Sequence, residues 1–166
     1  MSTTDDNLSE AFAGESQANR KYLAFAEAAE QEGLPGVARL FRAVAAAEAI
    51  HATALLKAAG GIAATLANLA EAKGGEEHEF SEMYPPMVAA AEAEGHKKAA
   101  RAMSHALAVE KVHFELFGEA MAAVEAGGDV DSRPHICPIC GHTVLGDAPD
   151  RCPVCGCAAE RYLAVA

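Results

Sequence analysis

Residues 45–51 read AAAEAIH and residues 107–113 read LAVEKVH, so a Glu stands three residues before a His twice, 62 positions apart. The same offset carries Tyr22 onto Tyr84, Glu32-Gly33 onto Glu94-Gly95 and Ala38-Arg39 onto Ala100-Arg101. Neither Glu-x-x-His lies near a helix breaker, and residues i and i+3 share one face of a helix. Two helical hairpins therefore follow one plan. Stacked face to face, they would be related by a pseudo-twofold axis with one Glu-x-x-His on each side.

The helices themselves are legible from alanine. Of 40 alanines, 35 precede residue 127, and Ala loses no side-chain entropy in a helix. Apolar residues Leu8, Phe12, Ala18, Tyr22, Phe25, Ala26 and Ala29 recur at helical spacing, which predicts a first helix from about Asn7–Leu8 to Gln31. EGLPG (32–36) stops it. Further helices are predicted from about Gly36 to Ala59, Ala64 to Ala93 and Lys97 to Ala126. Gly74-Gly75 and Pro85-Pro86 should strain or kink the third without necessarily ending it. Four long helices with short connections imply an all-α four-helix bundle over residues 1–126. GGDVDSRP (127–134) reads as a linker. Residues 135–166 are too few and too rich in turns to bury a core without a metal or disulfide staple.

The formal net charge of −11 argues against a nucleic-acid partner, which requires a basic footprint. Apolar runs are broken by charges well short of the ~20 residues needed to span a membrane. The acidic start, MSTTDDNLSEAF, lacks the basic and apolar regions of a secretory signal. A soluble cytoplasmic protein is expected.

A single Glu-x-x-His is most simply a surface pair. Two copies at matched repeat positions among Ala and Val point elsewhere, because a carboxylate among apolar neighbours is expensive unless paired or bound to a cation. Bundles hold two iron or manganese ions with one Glu from each of two helices and Glu-x-x-His from each of the others. The first helix offers Glu15 in AGESQ, and the third offers GGEEHEFSEMYP. The unshifted repeat sets Glu77 opposite Glu15, whereas a one-residue slip, as in a π-bulge, sets Glu76 there. Glu76 is favoured, because Glu79 then shares its face as a fifth carboxylate where the other hairpin has Ala18. Glu82 is the weaker ligand candidate. Glu27, Glu30, Glu92, Glu94, Glu119 and Glu125 read as solvated, and His78, His96 and His105 as ordinary histidines.

All five cysteines follow residue 136. CPICG (137–141) and CPVCG (152–156) are two knuckles whose four thiolates suit zinc or a single iron. Taken alone, a structural zinc ribbon is the better reading. Cys157 lies two residues past a ligand, and its side chain should point away from the metal as a spare thiol.

FAGESQANRKY, EAIH, GEEHEFSEMYP, EKVH and the two Cys pairs, in this order over nearly the whole chain, resemble rubrerythrin. The resemblance implies a ferritin-like diiron bundle followed by a rubredoxin-like Fe(Cys)4 domain, hence three irons per chain, with zinc as a substitute. It implies diiron ligands Glu15, Glu48, His51, Glu76, Glu79, Glu110 and His113, with Glu48 and Glu110 bridging. It further implies that one iron exchanges His51 for Glu79 with redox state, which suits a hard oxygen ligand to ferric iron. Tyr22 and Tyr84 match the family's tyrosines near the metals, while the sequence alone reads them equally as core residues with satisfied hydroxyls. Cys137, Cys140, Cys152 and Cys155 would hold an electron-carrying iron. The implied activity is peroxidase: hydrogen peroxide is reduced to water, with electrons from an upstream donor such as NADH through a separate reductase. An iron-storage protein and a zinc-filled structural protein are the alternatives.

The join between the hairpins bears on assembly. For one chain to form one bundle, the linker must recover ~30 Å, the helix length from His51 to Ala59 plus that from Ala64 to Glu76. Five Cα steps across residues 60–63 reach at most ~18 Å. Unless the start of the third helix unwinds by several turns, a domain-swapped homodimer is expected, the first hairpin of one chain meeting the second hairpin of another.

Overall fold

The computed structural model describes residues 2–165. Its helices are α1 (Thr3–Gln31), α2 (Pro35–Ala58), α3 (Thr65–His78), α4 (Tyr84–Ala93) and α5 (Lys97–Glu125), and one π-helical turn (Glu79–Met83) joins α3 to α4. α1 starts earlier than its apolar periodicity predicts. Ser2 accounts for this: its hydroxyl accepts from the Asp5 N–H at 3.2 Å, and the Asp5 carboxylate accepts the Ser2 N–H at 3.0 Å. This reciprocal cap satisfies two N–H groups at the helix start. Asp5 and Asp6 lie in the first turn, where negative charge is favoured.

The chain forms two compact units, which divide between Ala63 and Ala64. In the first, α1 and α2 make a hairpin. Gly33 adopts φ +75°, and the Leu34 N–H returns to the Ala29 carbonyl at 2.8 Å, so the turn closes the carbonyls left open at the end of α1. Pro35 then occupies the start of α2, where a missing N–H costs nothing. The buried residues are all small: Ala26, Ala29, Ala38, Ala45 and Ala52. Their size lets the helices approach closely enough for the Asn19 amide to donate to the Ala45 carbonyl at 2.7 Å. A larger side chain at Ala45, which has no exposed surface, would overpack this contact at a cost of about 1–3 kcal/mol.

The second unit repeats the hairpin with α3–α4 against α5. Gly95 has φ +70° and the His96 N–H returns to Ala91 at 2.8 Å, both 62 positions beyond Gly33, Leu34 and Ala29. Buried Ala91 and Ala100 likewise match Ala29 and Ala38. The hairpins differ at the π turn, where the Tyr84 N–H bonds to the Glu79 carbonyl. Pro85 and Pro86 carry no N–H for the Ser81 and Glu82 carbonyls, so the α ladder is already interrupted there and one extra residue is accommodated cheaply. Gly74-Gly75 lies within α3 and does not end it.

The rest of this unit is a small three-stranded antiparallel sheet, ordered β2-β1-β3, from β1 (Pro134–Ile136), β2 (Thr143–Leu145) and β3 (Leu163–Ala164), with a 3-10 turn (Ala159–Arg161). Ile136 pairs with Thr143 on one side and Leu163 on the other. Its core is Cys137, Cys152, Cys157 and Tyr162. A core so small requires a staple. Among the described residues no helix is long and apolar enough to cross a membrane.

Candidate metal centres

Each unit gathers two carboxylates and one imidazole. In the first, Glu15 comes from α1 and Glu48 and His51 from successive turns of α2. His51 Nδ1 lies 2.9 Å from Glu48 Oε2 and 3.8 Å from Glu15 Oε1. In the second, His113 Nδ1 lies 2.9 Å from Glu110 Oε2 and 3.7 Å from Glu76 Oε2. The internal repeat thus extends to the geometry of its polar groups. Glu76, not Glu77, stands in this group, because the π turn sets everything before it one residue out of the 62-residue register.

These groups are arranged for a cation. Glu76 Oε2 is buried and has no hydrogen-bond partner, a costly condition for a carboxylate unless an ion supplies the missing contact. Burial raises the Glu76 pKa above the ordinary carboxylate value, opposed by His113 and reinforced by Glu110. Glu15 is raised as well, first by its hydrogen bond with Glu48, then by desolvation and by the Glu48 charge. Carboxylates held this close disfavour their own ionised forms, and a divalent or trivalent cation reverses that. Oxygen and imidazole donors suit iron or manganese.

Glu79 is half-buried in the π turn and outside both groups. It still acts on Tyr84, whose pKa is raised by burial and then by Glu110, Glu79 and Glu76, so the Tyr84 hydroxyl stays protonated among these carboxylates. Tyr22 packs with Phe25 and Phe41, ring centroids 6.3 and 6.2 Å away. Glu82 is exposed and pairs with His78 at 3.3 Å. Glu30 pairs with Arg42 on the surface.

Cys137, Cys140, Cys152 and Cys155 form a four-sulfur group, with Cys137–Cys155 and Cys140–Cys152 sulfurs each 3.5 Å apart. The knuckles match: Gly141 and Gly156 adopt φ +84° and +75°, and their N–H groups return to the Cys137 and Cys152 carbonyls at 2.9 Å. Burial opposes ionisation of Cys152, but the Tyr162 hydroxyl and the N–H groups of Cys155 and Val154 outweigh it and lower the thiol to about 6. Burial and neighbouring sulfurs push Cys140 up instead. The four sulfurs cannot all ionise without a cation among them, and tetrahedral thiolate coordination by iron or zinc resolves the conflict.

A rubrerythrin family model matches residues 6–121. The chain is 34% identical to rubrerythrin-2 of Clostridium acetobutylicum over 97% of this chain and 96% of that protein. It is 37% identical to nigerythrin of Nitratidesulfovibrio vulgaris over 93% and 83%. The chain belongs to the rubrerythrin family. A solved structure of nigerythrin in a partially reduced state aligns with a TM-score of 0.60 at 35% identity, covering 99% of this chain and 88% of that one. The expected fold, a ferritin-like helical part followed by a small rubredoxin-like module, is the one observed.

This rubrerythrin-family chain holds features that its motifs do not announce. Cys157 stays outside the four-sulfur group but does not turn away into solvent. It is 9% exposed within the module's core, its sulfur beside Cys137 and its carbonyl accepting the Cys152 N–H at 2.7 Å. By position after the glycine, it is the counterpart of His142, whose carbonyl accepts the Cys137 N–H at 2.8 Å. His142 is also buried, and its Nδ1 lies 2.9 Å from the Tyr162 hydroxyl. Thr143 joins the module to α5, its hydroxyl 3.2 Å from His113 Nε2. Nothing in the spacing of the sequence marks this contact between residues 30 positions apart.

Proposed function

We propose that this protein is a non-haem diiron peroxidase that reduces hydrogen peroxide to water and protects against oxidative stress. The carrying observation is the pair of matched carboxylate–imidazole groups with a four-thiolate group in the same chain. Glu15, Glu48, His51, Glu76, Glu79, Glu110 and His113 would hold two irons, with Glu48 and Glu110 as the shared carboxylates and His51 and Glu79 as alternative ligands. When bound, the paired irons would supply two-electron reduction of peroxide and the thiolate iron one-electron transfer, three irons per chain in all. The protein's own part is to place anionic oxygens that offset ferric charge and to hold the Tyr84 proton beside them. Electrons enter at Cys137, Cys140, Cys152 and Cys155 from an NADH-linked reductase. The domains are a bundle over 1–126, a linker over 127–134 and a rubredoxin-like domain over 135–166, in a cytoplasmic protein.

The bundle is proposed to form between two chains as a swapped homodimer. After α2, the Gly61 N–H folds back to Leu56 at 2.9 Å, so the residues that follow supply little extended reach before α3 begins at Thr65. The face that carries Glu15, Glu48 and His51 is open, with His51 57% exposed, and a partner hairpin would cover it.

The test is anaerobic reduction followed by a single addition of peroxide, with both iron spectra recorded. Reoxidation at both centres, with return of the thiolate-to-iron colour, is expected. A colourless, zinc-filled cysteine site, or a thiolate iron that stays reduced, would leave an iron-storage role in its place.

A further inference from the structure

Thr143 lies on β2 of the cysteine-bearing module, but its hydroxyl is shared between two partners. It donates to the Gly141 carbonyl at 3.0 Å, and its oxygen lies 3.2 Å from His113 Nε2. A hydroxyl has one proton and two lone pairs. With the proton directed to Gly141, the oxygen accepts from the imidazole, and the ring hydrogen then resides on Nε2. Nδ1 is then the nitrogen that offers its lone pair once an ion displaces the hydrogen bond it makes to Glu110 Oε2 at 2.9 Å. That nitrogen is the one facing Glu110 at 2.9 Å and Glu76 at 3.7 Å.

The contact rests on a built surface. A Cβ on Gly141 would lie 3.8 Å from Val109 Cγ1, and Val109 is one of the most buried residues, 2% exposed. Val109 and His113 are four residues apart on α5, hence on one helix face. The first knuckle therefore sits on the face that carries the imidazole, and its left-handed glycine, φ +84°, allows that approach. His51, in the other unit, bonds Glu48 through Nδ1 and is 57% exposed.

We propose that Thr143 is a positioning residue for the metal site: its hydroxyl fixes the His113 tautomer that leaves Nδ1 free to bind an ion. This rests on the reading of Glu76, Glu110 and His113 as ligands. The module thus has a second task besides holding its own metal, that of setting the ligand atom of the neighbouring site. Groups that hold the second nitrogen of a ligating imidazole commonly change metal affinity 10–100-fold.

The test uses the full chain loaded with zinc, which is diamagnetic, and compares Thr143→Val with Thr143→Ser. Val keeps the β-branched shape that suits a strand and removes the hydroxyl, while Ser keeps the hydroxyl. Proton–nitrogen correlation should show a slowly exchanging Nε2–H on His113 in the native chain and in Thr143→Ser. In Thr143→Val that signal should be lost, with His51 signals unchanged. Zinc affinity at this site should fall roughly 10–100-fold in Thr143→Val and recover in Thr143→Ser. Glu110→Ala separates the two readings. If it abolishes zinc binding while Thr143→Val keeps native affinity and a protected Nε2–H, the role of Thr143 falls and the ligands stand. If Glu110→Ala leaves binding intact, both fall.

Discussion

Replacing Glu76 by Gln should stabilise the protein while its carboxylate site is free of metal. The ligand atoms of Glu76, Glu110 and His113 lie within 4.8 Å of one another. Two carboxylates at that distance repel by about 0.9 kcal/mol at a dielectric of 80 and about 3.5 kcal/mol at 20. His113 offsets part of this, so a net gain of about 1–2 kcal/mol is expected for Gln. Gln also removes the charge from a buried oxygen that has no hydrogen-bond partner. The pH dependence has a definite sign. Burial raises the Glu76 pKa, so the folded chain binds this proton more tightly than the unfolded chain does. The resulting stabilisation is complete below the unfolded value of about 4.5 and is lost as pH rises through the raised folded value. The Gln variant's advantage should therefore be largest near pH 8 and nearly absent near pH 4. Urea unfolding at 25 °C, with zinc kept only in the cysteine module, measures it. Once metal fills the carboxylate site the order should reverse, because a ligand has been lost. A Gln variant less stable than the native chain at pH 8, or an advantage that persists unchanged at pH 4, would show that these carboxylates are not a repulsive pair awaiting a cation.

Two further outcomes are expected. Glu48→Ala and Glu110→Ala chains should each be inactive, and refolding them together should restore activity, because swapped heterodimers contain one site with both defects and one intact site. Mixed dimers confirmed by mass but without activity would exclude the swap. Cys152→Ser should leave the helical part folded and metallated while peroxide turnover from an external donor falls at least 10-fold, a loss of ~1.4 kcal/mol or more in transition-state terms. Steady-state turnover equal to that of the native chain would remove the cysteine module from the reaction.

How far the site is legible in the sequence depends on the range of the forces that place each residue. The hairpin turns at Gly33 and Gly95 and the helices between them are local: glycine punctuation, alanine content and a 62-residue repeat suffice to place them. Glu48-His51 and Glu110-His113 follow from one helical turn, and the knuckles from Cys-x-x-Cys-Gly. Glu76 is an intermediate case. The repeat alone selects Glu77, and only an inserted residue brings Glu76 into place. Pro85 and Pro86 were the available signal, since they remove the donors that would hold the preceding carbonyls in an α ladder. The Ser2 cap was equally local, but apolar periodicity does not register a polar residue before the first turn. Thr143 and Cys157 lie beyond this range. Their positions are set by tertiary packing: Thr143 by how the first knuckle meets α5 at Val109, Cys157 by the core that closes under the sulfurs. A threonine in a strand has ample reason to be there without any ligand to orient. Its second role exists only because Gly141 brings the strand against the helix face that already carries His113, so the residue that sets the imidazole's tautomer becomes visible only once the two elements have been brought together.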